Sequence, residues 1–153
     1  MTSNPRISDL TDHLGFWLRT VSNHVSQSFA AKLADRNITV AEWVVMRSLY
    51  GNEPMAPSRL AADIGMTRGA ITKLADRLIA KSLIIRRSSE EDGRAQTLGL
   101  TKRGVELVPQ LAVLADGNDA EFFGTLSAGE RRTLEKLLRR LAEQGDMRTM
   151  PID

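Results

Sequence analysis

The sequence predicts a mainly α protein carrying one small β-hairpin, and three observations carry that prediction. Between Pro57 and Leu78 two amphipathic helical stretches are separated by only three residues, one of them a glycine. A β-rich run, Leu83–Arg87, follows at once; across a polar tip containing Asp-Gly it is answered by alternation at Thr97, Leu98 and Leu100. Long helical periodicities occupy both chain ends, about 8–35 and 102–145.

In chain order, apolar residues Leu10, Leu14, Trp17, Leu18, Val21, Val25, Phe29 and Leu33 recur mostly every three or four positions, predicting one helix from Ser8 to about Asp35. That is longer than one small core needs, so packing against a partner chain would use the excess. Thr39 and Glu42 form a capping box, with Ile38 placed to staple onto Trp43, and a second helix runs to Tyr50. Gly51–Met55 reads as a turn. Pro57, whose missing N–H costs nothing at a helix start, opens a short helix with Leu60, Ala61 and Ile64 inward. Gly65 supplies the left-handed residue that ends it, and Thr67 caps the next helix. There Ile71, Leu74, Ala75 and Leu78 share one side; Arg68, Gly69, Thr72, Lys73 and Asp76 take the other, with Arg77 at its edge. A hairpin directly after such a helix-turn-helix makes a winged helix. Thr101 then caps a helix to about Phe123 with Val105, Val108, Leu111, Ala112 and Ala115 inward, kinked at Pro109. Ser127 and Glu130 cap the last helix, whose stripe is Leu134, Leu137, Leu138 and Leu141.

At 153 residues the chain is one domain's worth. It has no 18-residue apolar run and no secretory leader pattern, and without cysteine it has no disulfide or thiolate metal site; a cytoplasmic location fits. Neither histidine lies in a catalytic or metal-ligand spacing and the carboxylates are scattered, so no enzyme, cofactor or metal site is predicted. Net charge is only +2, but residues 59–103 carry +5 and the remainder −3. Positive charge concentrated on the helix-turn-helix and hairpin is the footprint of phosphate binding.

The segment LAADIGMTRGAITKLADRLIAKSLIIRRSSEEDGRAQTLGLTKRG, residues 60–104, resembles the core of the MarR family of bacterial transcription regulators. Its most specific part is Asp92-x-Arg94 followed by Leu98-x-Leu100-Thr101-x-x-Gly104. Two positions depart from the family pattern: Ala56 stands where a capping Ser or Thr is common, and Ser82 where a Gly usually precedes the first wing strand. The resemblance implies a single domain over 1–153, with a DNA-binding core at about 56–101 and dimerisation helices at about 8–35 and 102–145. It implies a homodimer on a pseudo-palindromic operator, acting as a ligand-responsive repressor. Arg68, Gly69, Thr72, Lys73 and Arg77 would enter the major groove, with nearby cations such as Arg86 on phosphates. Arg94 would reach the minor groove, oriented by Asp92.

His13, Trp17, Thr20 and His24 share a stripe at the edge of the first helix's apolar face. Two histidines eleven apart lie roughly 16 Å apart along a helix axis, too far to chelate one ion. The stripe therefore reads either as ordinary core or interface packing or as the lining of a small-molecule pocket, and effectors in the resembled family are often small aromatic anions. The alternative to a DNA-binding regulator is a winged-helix module that binds a small molecule or a protein without a primary DNA role. Such a protein-binding face should be apolar or acidic, and this one is neither.

Overall fold

A computed structural model of the protein describes residues 5–88 and 96–144. Among them are six α-helices: α1 Leu14–Ala34, α2 Val40–Leu49, α3 Pro57–Ile64, α4 Arg68–Ala80, α5 Lys102–Phe123 and α6 Ala128–Gln144. Two antiparallel strands, β1 Ile84–Ser88 and β2 Gln96–Leu100, pair from Ile84 opposite Leu100 to Ser88 opposite Gln96. The turn before α3 contributes to this sheet as well. The Met55 N–H donates to the Leu98 carbonyl at 2.9 Å and the Leu98 N–H donates back at 2.8 Å, so the last residue of the expected turn is a third point of pairing.

The helix starts follow their local caps. Thr39 Oγ1 accepts from the Glu42 N–H at 3.1 Å while the Glu42 carboxylate accepts from the Thr39 N–H at 2.8 Å. Ser127 and Glu130 repeat this box at α6, Thr67 and Thr101 cap α4 and α5 by accepting the Ala70 and Gly104 N–H groups, and Gly65 ends α3 at φ +70°. Ala56, lacking a hydroxyl, makes no side-chain cap for α3.

The first helix starts later than periodicity predicts. Leu10–Asp12 form a single 3-10 turn, His13 is extended, and α1 begins at Leu14. Asp12 explains the break, because its carboxylate accepts the Asp9 N–H at 2.9 Å and offers the backbone a local alternative to helix. The Trp17 indole then donates to the Thr11 carbonyl at 2.9 Å and ties this segment against α1.

The core gathers Leu33, Ile38, Val45, Met46, Leu60, Ile71, Leu74, Leu78, Leu83, Ile84, Leu98, Val108 and Leu111, residues of every element except α6. Pro109 does not break α5. Its inward stripe is Gly104, Val108, Leu111 and Asn118, whereas the expected Val105 is 47% exposed. Buried Asn118 is satisfied by donating to the Val25 carbonyl and accepting from Lys32, which also pairs with Glu121 at 2.9 Å. No helix of the described residues is long and apolar enough to cross a membrane.

Candidate nucleic-acid interface

Helix α4 is amphipathic in the way its sequence dictates. Ala70, Ile71, Leu74, Ala75 and Leu78 are buried against the core, and Arg68, Gly69, Thr72, Lys73 and Asp76 are exposed. Thr72 Oγ1 donates to the Arg68 carbonyl at 3.0 Å, which keeps that hydroxyl close to the helix surface. Arg68 and Lys73 have no carboxylate partner among the described residues. Gly69 lies in open space, where an added Cβ would meet nothing within 4 Å. A glycine inside a helix costs about 1 kcal/mol relative to alanine, and no packing among the described residues requires it.

Two predicted site residues are committed elsewhere. Arg86 on β1 pairs with Asp76 of α4 at 2.9 Å and so ties the hairpin to the helix. Arg77 turns back toward α2 instead of outward, lying 3.3 Å from both Thr39 Oγ1 and the Glu42 carboxylate. Arg87, adjacent to Arg86 and therefore on the opposite face of the strand, is exposed. Its one signal in the sequence is its place beside Arg86 in a cationic strand. Asp92 and Arg94 lie outside the described residues.

Glu42 is the buried ionic centre of this region. Its side chain is fully buried, and Lys81 donates to both carboxylate oxygens, at 3.0 and 2.9 Å. Burial pushes the carboxyl up, but the Lys81 bond, the Thr39 N–H and the charges of Lys81 and Arg77 together hold it below the ordinary glutamate range.

The stripe residues at the start of α1 lie along an open face of the described chain. His13 is the extended residue preceding the helix, Trp17 is half exposed, Thr20 donates to the Phe16 carbonyl and His24 is exposed. A surface cleft of about 570 Å³ lies at the other end of α1, between Ala30, Ala34, Ile38 and the cations Arg77 and Lys81.

A helix-turn-helix with a sealed inner side, an open cationic outer side and a hairpin laid against its end defines a winged-helix protein. A model of the MarR family matches residues 38–95, which span α2, the helix-turn-helix and β1. Over 88% of its length it is similar to a mutant Escherichia coli MarR solved in complex with operator DNA, at 27% identity and a TM-score of 0.80, covering 99% of that chain. Bordetella bronchiseptica BpsR, whose DNA binding is regulated by 6-hydroxynicotinic acid, shares the fold at a TM-score of 0.83 and 22% identity, with 90% and 98% of the two chains covered. A Thauera aromatica relative, named provisionally as the transcriptional regulatory protein for the hcr operon, is 29% identical over 136 residues, 88% of this chain and 82% of that one.

Proposed function

We propose that the protein is a homodimeric, ligand-responsive repressor that binds a pseudo-palindromic duplex site. The observation that carries this reading is the outer side of α4. Arg68 and Lys73 have no carboxylate partner among the described residues, and Gly69 leaves the backbone open to close approach by something from outside the chain. Arg68, Gly69, Thr72 and Lys73 enter the major groove, where base edges distinguish all four base pairs. Arg87, Arg94 and the hairpin track the flanking backbone and minor groove, and Arg86 and Asp92 serve as braces. The similar E. coli protein, solved in complex with operator DNA, supports duplex DNA as the partner.

Two copies related by a two-fold axis present two α4 helices to successive turns of the duplex. The apolar residues left exposed on α1 and α6 supply the interface, and occupancy of the site blocks transcription. An aromatic, anionic effector contacts Trp17 and at least one of His13 and His24 and shifts the spacing of the two helices by binding one dimer state better than the other. BpsR's response to an aromatic acid is the precedent for the ligand class. Trp17→Phe should leave DNA affinity intact while changing the effector concentration needed for release; release at an unchanged concentration removes Trp17 from the site.

The decisive experiment on DNA is a salt titration on random duplex and on the DNA flanking the protein's own gene. Six to ten neutralised phosphates per dimer give a log–log slope of roughly −5 to −9. Arg68→Ala should cost about 1–3 kcal/mol on the preferred site and relax base preference at particular positions. A wild-type slope near zero on both duplexes overturns the DNA reading.

A further inference from the structure

Arg77 belongs to the recognition helix, is half exposed, and yet its guanidinium is directed at a buried carboxylate on α2. The two cations around Glu42 are not held alike. Lys81 uses three short contacts, to both Glu42 oxygens and to the Asn37 carbonyl at 2.6 Å, which match its three donors. Among the described residues Arg77 has two contacts, both at 3.3 Å, to Glu42 and Thr39 Oγ1. One carboxylate therefore serves two cations, with Lys81 bound fully and Arg77 bound loosely at the edge of the face that docks on DNA. Thr39 fixes Glu42 in turn, because its N–H occupies one carboxylate oxygen through the capping box of α2.

We propose that Glu42 is an internal counter-ion that withholds Arg77 from DNA phosphate, and that it thereby lowers the sequence-independent part of binding relative to the base contacts made from the first turns of α4. This rests on the DNA reading above. Phosphate contacts add affinity without sequence information, so a cation captured inside the protein makes the remaining interface more selective. The same carboxylate orients the C-terminal half of α4 on α2, since its two partners, Arg77 and Lys81, stand one turn apart on one side of that helix. Glu42 is thus a positioning residue: it acts through Arg77 and touches no DNA itself.

Replacing Glu42 by glutamine keeps the volume and removes the charge, leaving Lys81 and Arg77 to repel each other. Arg77 is the more weakly held and more exposed of the two, so it is the one released outward. Binding to a random-sequence duplex is measured against salt for the full-length wild type, Glu42→Gln, Arg77→Gln and the double variant. Each phosphate neutralised contributes about 0.9 to the log–log slope. Glu42→Gln should steepen the slope by about 0.9 for each protomer on the duplex. Arg77→Gln alone should leave it at the wild-type value, and the double variant should return to that value. A loss of packing by itself would weaken binding without steepening the slope. If Glu42→Gln fails to fold, Arg77→Gln still decides the matter: a slope flatter by about 0.9 per protomer, on a wild type that binds normally, places Arg77 on phosphate already and overturns the proposal alone. A wild-type slope near zero overturns the proposal together with the DNA reading.

Discussion

Helix α4 and helix α6 carry the same kind of apolar stripe and meet opposite fates. In α4 the stripe Ile71, Leu74, Ala75 and Leu78 is buried within the chain, and only the small and cationic side faces out. In α6 no residue is buried, and Leu137, Leu138 and Leu141 are 48, 40 and 57% exposed. The N-terminal half of α1 resembles α6, with Leu14, Trp17, Leu18 and Val21 all exposed. Periodicity announces that a face will be covered; it does not say by what. The winged helix is covered by its own chain, and the proposed dimer assigns the covering of the two end helices to a second copy.

The comparison breaks most severely where the hairpin meets α5. A Cβ on Gly104 would overlap the Leu83 carbonyl oxygen, a backbone atom that also accepts the Thr101 N–H at 3.0 Å and so cannot simply retreat. Gly104→Ala should therefore cost about 3 kcal/mol, the upper end for overpacking, seen as a lower denaturation midpoint. An unchanged midpoint would show that this junction yields to the extra methyl without cost.

The end helices should show the converse, a large effect on assembly with little on the fold. Leu137→Asp combined with Leu141→Asp removes apolar surface worth about 1.5–3 kcal/mol per fully buried leucine. Sedimentation should find self-association weakened at least about 100-fold, with the circular-dichroism melt of the winged helix nearly unaltered. A variant that sediments like wild type would take α6 out of the dimer.

A smaller effect concerns pH and the ion cluster that joins α2 to α4. Because the folded Glu42 carboxyl titrates below its unfolded value, its contribution is complete above the ordinary glutamate range and is lost as pH falls through the folded value. The melting-temperature gap between wild type and Glu42→Gln should be widest near about pH 6 and narrow toward about pH 3. A gap independent of pH would show that the variant's penalty comes from packing rather than charge.

The smallest effect is expected at Ser82, which adopts φ +62° where the family pattern has glycine. A left-handed backbone costs a side chain about 1–2 kcal/mol, while glycine loses about 0.5–1 kcal/mol through unfolded-state entropy. Ser82→Gly should stabilise the winged helix by roughly 0.5 kcal/mol, the difference between those terms, and leave sedimentation unchanged. A destabilised variant would show that Ser82 is held there by contacts worth more than the strain.

The sequence by itself determined the helix-turn-helix, the hairpin and most helix starts, because each rests on interactions spanning a few residues. Thr39 with Glu42, Thr67 with the Ala70 N–H, Ser127 with Glu130 and the left-handed Gly65 are all complete within one turn of chain. The outward side of α4 was legible for the same reason, since helical periodicity alone separates Arg68, Gly69, Thr72 and Lys73 from the apolar side. The reading of 8–35 as one helix failed where a local bond between Asp12 and Asp9 outcompeted the apolar repeat. Only the tertiary structure decided what the remaining side chains do. It turned Arg77 and Lys81 onto Glu42, 35 and 39 residues earlier in the chain. It set Arg86 on Asp76, paired Met55 with Leu98, and pressed Gly104 against Leu83. A charge or a glycine at any of these positions has no periodicity to betray its partner; the partner exists only once helices and strands distant in sequence have packed together.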